Sequence, residues 1–411
     1  MNKPELLAPA GNLEKLKMAL IYGADAVFMG GKAFGLRAFG GNFNDDELKE
    51  GIEFAHSLNK KAYVTINIYA HNSDLTELPE YLRYLESIKV DAIIVADLGV
   101  FQIAKQTTPN LPIHISTQAN NTNWASVKAW QEMGANRVVL ARELSFTEIK
   151  EIRDNVKLDL EAFIHGAMCI SYSGRCLLSN YFTGRDANRG SCAQSCRWKY
   201  TLMEEKRPGE YFPVFEDERG TYIFNSKDMC MIEYLPELIN SGINSFKVEG
   251  RMKSVHYVAS VIKVYRQAID SYYENSHDYQ VKKEWIEELN KGSHREYSTG
   301  FYLNKTTEKD QIYGNSSYLQ THDFIGLVLD YDENSGWAVV EQRNNMKTGQ
   351  EIEIIQPQKE TFNQRLEFML DDEGNEINMA PHAQQIIKIK MMKPVEKYSM
   401  LRRKTNYKKS T

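Results

Sequence analysis

Short apolar runs alternate with amphipathic stretches through the first two-thirds of the chain. Strand-like runs fall at Glu5–Pro9, Ala26–Gly30, Ala62–Ile68, Ala92–Ala96, Pro112–Ser116, Arg137–Ala141, Asp159–His165 and Ser245–Glu249. Between them, segments such as Leu13–Tyr22 and Asp45–Leu58 carry apolar residues at helical spacing. Asn44 precedes the second of these and acidic residues fill its first turn, the signature of a helix start. Most repeats span about 20–35 residues, the size of a βα unit. Eight such strands predict an α/β fold, a (β/α)8 TIM-like barrel of roughly 250 residues. A doubly wound open sheet is the rival. No Gly-x-Gly-x-x-Gly follows the first strand, which removes the main support for that alternative.

One connection breaks the rhythm. The stretch 166–244 separates the seventh strand from the eighth, and insertions of this length inside a compact domain are usually functional. It holds all five cysteines and an expected hairpin, Tyr211–Phe215 with Tyr222–Phe224. Ser254–Tyr273 reads as a closing helix. From Phe324 the pattern shifts to period-two alternation at Gly326–Leu329, Trp337–Glu341, Glu351–Ile355 and Ile386–Lys390, predicting a small all-β domain. The chain thus divides into a barrel with its insertion (1–275), a mixed connection (276–319), a β domain (320–395) and a basic, frayed tail (396–411).

Composition changes little of this. With 42% hydrophobic and 26% charged residues, the 411-residue chain is globular, not disordered or collagen-like. The net charge of −5 does not advertise a strongly basic nucleic-acid binder. No signal peptide and no membrane-length apolar run is visible, so a cytoplasmic protein without membrane partners is expected.

Active sites of such barrels lie at the C-terminal ends of the strands. There the sequence places Asn67, Asp97, Ser116-Thr117-Gln118, Arg142-Glu143, His165 and Glu249-Gly250-Arg251, with Arg37 in the loop after the second strand. Arg37, Arg142 and Arg251 in one cleft would suit a small carboxylate or a phosphate, because guanidinium pairs bidentately with both. Asn67 and Gln118 would read a base edge or a hydroxyl.

Cys169, Cys176, Cys192 and Cys196 lie in one loop, and Cys230 follows. A loop rich in Ser, Gly and Arg is not where inert core thiols go. Zinc sites favour paired Cys-x2–4-Cys knuckles, which only Cys192/Cys196 matches. A [4Fe-4S] cluster tolerates irregular spacing and needs four thiolates, leaving one spare. The odd number of thiols argues against a secreted disulfide framework.

Several motifs carry a family resemblance. They are Glu161-x-Phe163-x-His165-Gly166-Ala167-Met168-Cys169 with Gly174-x-Cys176-x-x-Ser179, the opening Glu5-Leu6-Leu7-Ala8-Pro9-Ala10-Gly11, and Asn188-Arg189-Gly190-Ser191-Cys192-Ala193-Gln194-x-Cys196-Arg197-Trp198. Asn225-Ser226-Lys227-Asp228 and Ser245-Phe246-Lys247-Val248-Glu249-Gly250-Arg251-Met252-Lys253 complete the set. Together they resemble peptidase family U-32, the collagenase-like proteins, over essentially the whole chain.

The family name implies a protease. The nearest subgroup implies an oxygen-independent tRNA hydroxylase that makes 5-hydroxyuridine at the wobble position, with prephenate as hydroxyl donor and an iron–sulfur cluster. Related quinone-pathway proteins imply a [4Fe-4S] cluster on Cys169, Cys176, Cys192 and Cys230, with Cys196 as substitute. Two-component action within the group implies a related U-32 subunit as a further partner. Within that reading, Glu161 and His165 are the candidates for positioning or proton transfer. Arg37, Asn67, Gln118, Arg142, Glu249 and Arg251 are the substrate contacts, and Lys227 and Asp228 stand behind them. A peptidase would need a metal motif such as His-Glu-x-x-His, which is absent, or a Cys169/His165 dyad.

Overall fold

The structure is a computed structural model. It describes all residues except 1, 33, 35–41, 170, 174–175, 186, 190–191, 198–200, 203–211, 214–224, 304–310, 313–318 and 406–411. Arg37 and the Tyr222–Phe224 arm of the expected hairpin lie outside the described residues. Within the described part of the other arm, Phe212–Pro213 pairs antiparallel with Thr201–Leu202.

Seven parallel strands follow one another as β1 (Glu5–Pro9), β2 (Ala26–Met29), β3 (Lys61–Ile66), β4 (Ala92–Val95), β5 (Ile113–Ile115), β6 (Arg137–Val139) and β7 (Asp159–Ala167). After the insertion come a short strand β8 (Asp228–Cys230) and the last barrel strand β9 (Ser245–Val248). β9 pairs in parallel with both β1 and β7, which closes the eight-stranded barrel. These strands are short and almost entirely buried, because helices cover their outer faces and side chains fill the interior. Helices α1 (Leu13–Ile21), α2 (Asp45–Ser57), α3 (Leu78–Ser87), α4 (Leu98–Thr107), α5 (Trp124–Glu132) and α6 (Phe146–Asn155) connect them in turn. Asn44 caps α2 in a reciprocal box with Glu47, as its sequence predicts. Asp97, one of the polar strand-end residues, accepts a hydrogen bond from Val100 N at 2.9 Å and caps α4.

The insertion forms α7 (Leu178–Thr183) and, just before β9, α8 (Leu235–Asn240). Helix α9 (Val255–Glu274) follows, then α10 (Lys283–Leu289) and β10 (Tyr297–Ser298). β8 runs antiparallel to the end of β7 and parallel to β10.

The C-terminal domain is an antiparallel sheet of β11 (His322–Asp332), β12 (Trp337–Gln342), β13 (Glu351–Ile355), β14 (Phe362–Arg365), β15 (Met369–Leu370), β16 (Ile386–Lys390) and β17 (Met400–Lys404). Its own core gathers Ile325, Val340, Ile354, Ile387, Ile389 and Leu401. The expectation of a frayed basic end is corrected here. β17 pairs with both β11 and β13, so it lies inside the sheet.

The reason is Arg402, whose side chain is 0% exposed. Its guanidinium forks onto Glu288 of α10 at 2.6 and 2.5 Å, reaches Glu353 of β13, and donates to His256 Nε2 on α9 at 3.0 Å. This buried pairing fastens the β domain to the barrel. Lys263 adds bonds to Gln356 O and Lys359 O at 2.6 and 2.9 Å, and the Tyr22 hydroxyl reaches Ile355 O and Tyr398 O. No helix among the described residues is long and apolar enough to cross a membrane.

Removing Arg402 leaves two half-buried carboxylates with Lys291 as their remaining cation, so Arg402→Met should cost up to about 3–5 kcal/mol and lower the urea midpoint. Acid acts on the same joint. Burial and then Arg402 hold His256 down to about 3, and Arg402 overcomes burial to pull Glu288 down to about 2. The unfolded chain therefore binds protons that the native one refuses, from about pH 6.5 downward for histidine and 4.5 for glutamate. Stability should be full at neutral pH and fall steadily below about 6.5. Urea titrations across that range check this, with His256→Gln flattening the upper part of the slope.

Candidate active site at the barrel mouth

The barrel interior is layered. Its lower layer is polar: Arg137 Nη1 lies 2.5 Å from Glu5 and 3.1 Å from Glu161. Tyr63 and Ser245 donate to Glu5 at 2.7 and 3.0 Å, and Lys247 Nζ contacts Glu161 at 2.8 Å. Glu161 is fully buried. Burial pushes its carboxyl up, but Lys247 and Arg137 outweigh this and hold it below the usual range. The structure thus places Glu161 in an interior ion network, away from the cavity wall.

Above this layer opens a cavity of about 730 Å3 at the C-terminal ends of the strands. Lys247 forms part of its base, with its ammonium 4.3 Å from the centre of the Phe28 ring and 5.5 Å from that of Phe163. Arg142 stacks on Phe163 at 3.9 Å and reaches Glu249 at 3.5 Å. Arg251 donates to Asn42 at 3.0 Å. A side chain at position 30 would meet Arg251 Nη2 at 2.7 Å, which explains Gly30 at the end of β2. Asn67 donates to Ser116 at 3.4 Å, and Ser116 also caps the turn that carries Gln118. Asn67, Gln118, Arg142, Glu249 and Arg251 therefore share one cavity, as the sequence predicts.

His165 does not join them. In the β7–β9 pairing, Phe163 opposes Lys247 and His165 opposes Val248, leaving Ile164 as an extra residue. This bulge reverses the alternation, so Glu161 and Phe163 face the interior while His165 packs beneath α9. Its ring lies among Tyr257, Tyr265 and Tyr297, with Nδ1 3.3 Å from the Tyr265 hydroxyl. Burial, then His294 and Lys253, lower its pKa to about 3, so it is neutral at physiological pH. Lys227 pairs with Glu296 at 3.2 Å, and Asp228 accepts Arg295 N at 3.2 Å. Neither lines the cavity.

The cysteines divide. Cys169, Cys176, Cys192 and Cys196 all line the cavity. Cys169 and Cys176 are hydrogen-bonded to each other, which pulls Cys176 down to about 5 and pushes Cys169 up. Cys230 sits behind β7, with Sγ 3.9 Å from the Tyr265 hydroxyl, and burial raises it to about 11. Among the described residues no three His, Cys, Asp or Glu side chains are gathered closely enough to hold a metal ion.

Residue-type reasoning passed over several cavity groups. Lys247, Lys253 and Phe163 stand within the family motifs without an assigned role, and Phe28, Asp323 and Phe324 carry no site signal in the sequence. A lysine in the middle of the buried strand Ser-Phe-Lys-Val was the available signal, since lysine is almost never buried unpaired. Asp323 and Phe324 come from the β domain, so the cavity lies where the two units meet.

The model of peptidase family U32 matches residues 11–312, and that of the U32 C-terminal domain matches 320–402. The chain belongs to peptidase family U32. Among its U32 relatives, tRNA hydroxylation protein P1 of Bacillus subtilis is 46% identical over 98% of this chain and 95% of its own length. tRNA hydroxylation protein P of Escherichia coli is 38% identical over 93% and 92%. The 23S rRNA 5-hydroxycytidine C2501 synthase of Escherichia coli is 36% identical over 67% of this chain and 40% of its own.

The position of Glu161 makes a direct prediction. Glu161→Gln leaves Lys247 and Arg137 without their shared buried counter-charge and should cost about 3–5 kcal/mol of stability. Thermal melts of the variant check this. A Glu161→Gln protein that melts with the wild type would place the carboxylate outside the folding network.

Proposed function

We propose that this U32 protein hydroxylates C5 of the wobble uridine in tRNA without oxygen, with prephenate as hydroxyl donor and a [4Fe-4S] cluster at the thiol wall. The observation that carries the reading is the meeting, in one cavity, of a four-thiol wall with a cationic, aromatic base. The named activities of the relatives on tRNA and rRNA supply the substrate class.

The donor set fits the cluster in type and number: thiols on loops at one wall, two of them hydrogen-bonded, one with a depressed pKa. Cys169, Cys176 and Cys192 would supply three ligands. The fourth is Cys230 by family resemblance and Cys196 by position on the wall. When bound, such a cluster supplies one-electron chemistry that side chains lack.

The chain's own residues do the rest. Prephenate is a dicarboxylate on a six-membered ring. Arg142, Arg251 and Lys247 offer cations to its carboxylates, and Phe28 and Phe163 offer flat apolar faces to its ring. Arg37 belongs to the same proposed clamp. Asn67 and Gln118 suit the polar edge of a uracil. Glu249 orients Arg142, and the buried Glu161 network holds Lys247 in place. The product differs from the substrate by C5–OH in place of C5–H, so the site must bring donor and uridine together and exclude water. The β-domain residues Asp323 and Phe324 help to close it.

The peptidase alternative loses its nucleophile–base pair. Cys169 faces the cavity while His165 is turned under α9, so that dyad is not assembled.

Deletion of the gene should abolish 5-hydroxyuridine in total tRNA measured by mass spectrometry, and Arg142→Ala should lower it at least tenfold in a complemented strain. Anaerobically purified protein should hold about four irons per chain. Iron should be lost in Cys169→Ser, Cys176→Ser and Cys192→Ser. Of Cys196→Ser and Cys230→Ser, the variant that loses iron identifies the fourth ligand. Unchanged 5-hydroxyuridine in a strain deleted for this gene and for any U32 paralogue would reject the function.

A further inference from the structure

The segment that carries the first two cavity thiols has two unlike sides. Cys169, Ser173, Cys176 and Ser179 line the cavity. The residues between and beyond them turn outward: Leu177 is 70% exposed, Tyr181 82%, Tyr172 59% and Phe182 40%. A loop–helix segment of a globular protein ordinarily buries its large apolar groups and exposes its polar ones. Here the order is reversed, and contiguous exposed apolar groups mark an interaction site.

The backbone beneath this lip is secured. Ser179 accepts a hydrogen bond from Ala193 N at 2.9 Å, Asn188 donates to Cys176 O at 3.1 Å, and the Thr183 hydroxyl donates to Ser179 O at 2.6 Å. Tyr181 and Phe182 meet edge-on, with ring centres 5.3 Å apart. The rings are therefore presented by a fixed frame.

Charge selects the occupant. Residues 166–200 contain five basic residues, Arg175, Arg185, Arg189, Arg197 and Lys199, against one acidic residue, Asp186. That is a formal +4 in a chain of net −5. An apolar protein partner does not call for this concentration of positive charge. A single-stranded nucleic acid calls for both features, since its phosphates seek cations and its unstacked bases seek aromatic faces.

We infer that Tyr172, Tyr181 and Phe182 form a stacking platform for the unpaired nucleotides that flank the target base, in a stretch whose net positive charge suits the phosphates. This rests on the RNA-modifying reading and deepens it by locating the single-stranded part of the substrate beside the thiol wall. A target base splayed into the cavity leaves its neighbours unstacked at the rim, where these rings stand. Stacking of this kind tolerates sequence, so the platform would hold the loop without choosing the base.

The test uses the full-length, cluster-loaded protein and an anticodon stem-loop hairpin, with binding followed by fluorescence anisotropy. Tyr181→Ala should weaken binding about tenfold, Tyr172→Ala/Tyr181→Ala should weaken it further, and Tyr181→Phe should restore it. A hairpin with an abasic site beside the target uridine should bind weakly to the wild type and lose little more with Tyr181→Ala. Iron content and solution mass should not change. Wild-type binding that is indifferent to both tyrosines would overturn the platform and leave the proposed function standing. A fall in solution mass with unchanged RNA affinity would reassign the lip to contact between protein copies and also overturn it. A wild type that neither binds the hairpin nor restores 5-hydroxyuridine to a deletion strain would remove the RNA-modifying reading, and the platform with it.

Discussion

A single carboxylate, Glu161, is held inside the barrel between Lys247 and Arg137, and the rest of the site is built on that arrangement. A charge taken out of water costs several kcal/mol unless it is paired in good geometry, so the pairing constrains every strand that contributes to it. Those strands are β1, β3, β6, β7 and β9, through Glu5, Tyr63, Arg137, Glu161 and Ser245 with Lys247. β1, β7 and β9 among them are the strands at which the barrel closes. The network therefore sets the register at the seam and, in doing so, aims the Lys247 ammonium at the cavity base between two phenylalanine rings. Stability and site geometry have one source here.

Just above the network the β7 bulge divides the chemistry. With Ile164 as the extra residue, the strand stops alternating: Phe163 remains in the cavity and His165 leaves it. Gly166 follows at a φ of +107°, and a Cβ there would meet Glu249 O at 2.4 Å, so only glycine permits the close approach of β7 to the strand end carrying Glu249. Cys169, three residues on, faces the cavity, while Cys230 on β8 lies behind the strand next to Tyr265. A one-residue irregularity thus sends Glu161 and Phe163 to the interior and His165 out of it.

The β domain belongs to the site as well as to the fold. Its docking relies on Arg402, buried among Glu288, Glu353 and His256, and its Asp323 and Phe324 reach the cavity. An arginine in a basic stretch near the chain end reads as a solvated tail, because charge runs usually are. What reverses that reading is a pair of carboxylates on separate elements, one on α10 and one on β13, that no local pattern connects.

The sequence by itself determined the barrel, because short, largely apolar strands alternating with amphipathic helices have few other ways to bury themselves. It also determined the strand-end set of Asn67, Gln118, Arg142, Glu249 and Arg251, since position at a barrel strand's C-terminal end dictates a place at the mouth. The loop shared by Cys169, Cys176, Cys192 and Cys196 lines the cavity, whereas the ligand set implied by the family resemblance takes Cys230, which lies outside it, in place of Cys196. Tertiary structure alone decided the rest. Glu161 and His165 sit four apart on one strand and alternation would put them on one face; only the bulge separates them. Lys247 takes its role from Glu161, two residues along the neighbouring strand from its register partner Phe163. The lip of Tyr172, Tyr181 and Phe182 reads as ordinary core-forming residues until the fold turns the thiols inward and leaves those rings in water. In each case the deciding quantity is which side of the backbone a group faces, and that is set by pairing partners distant in the chain.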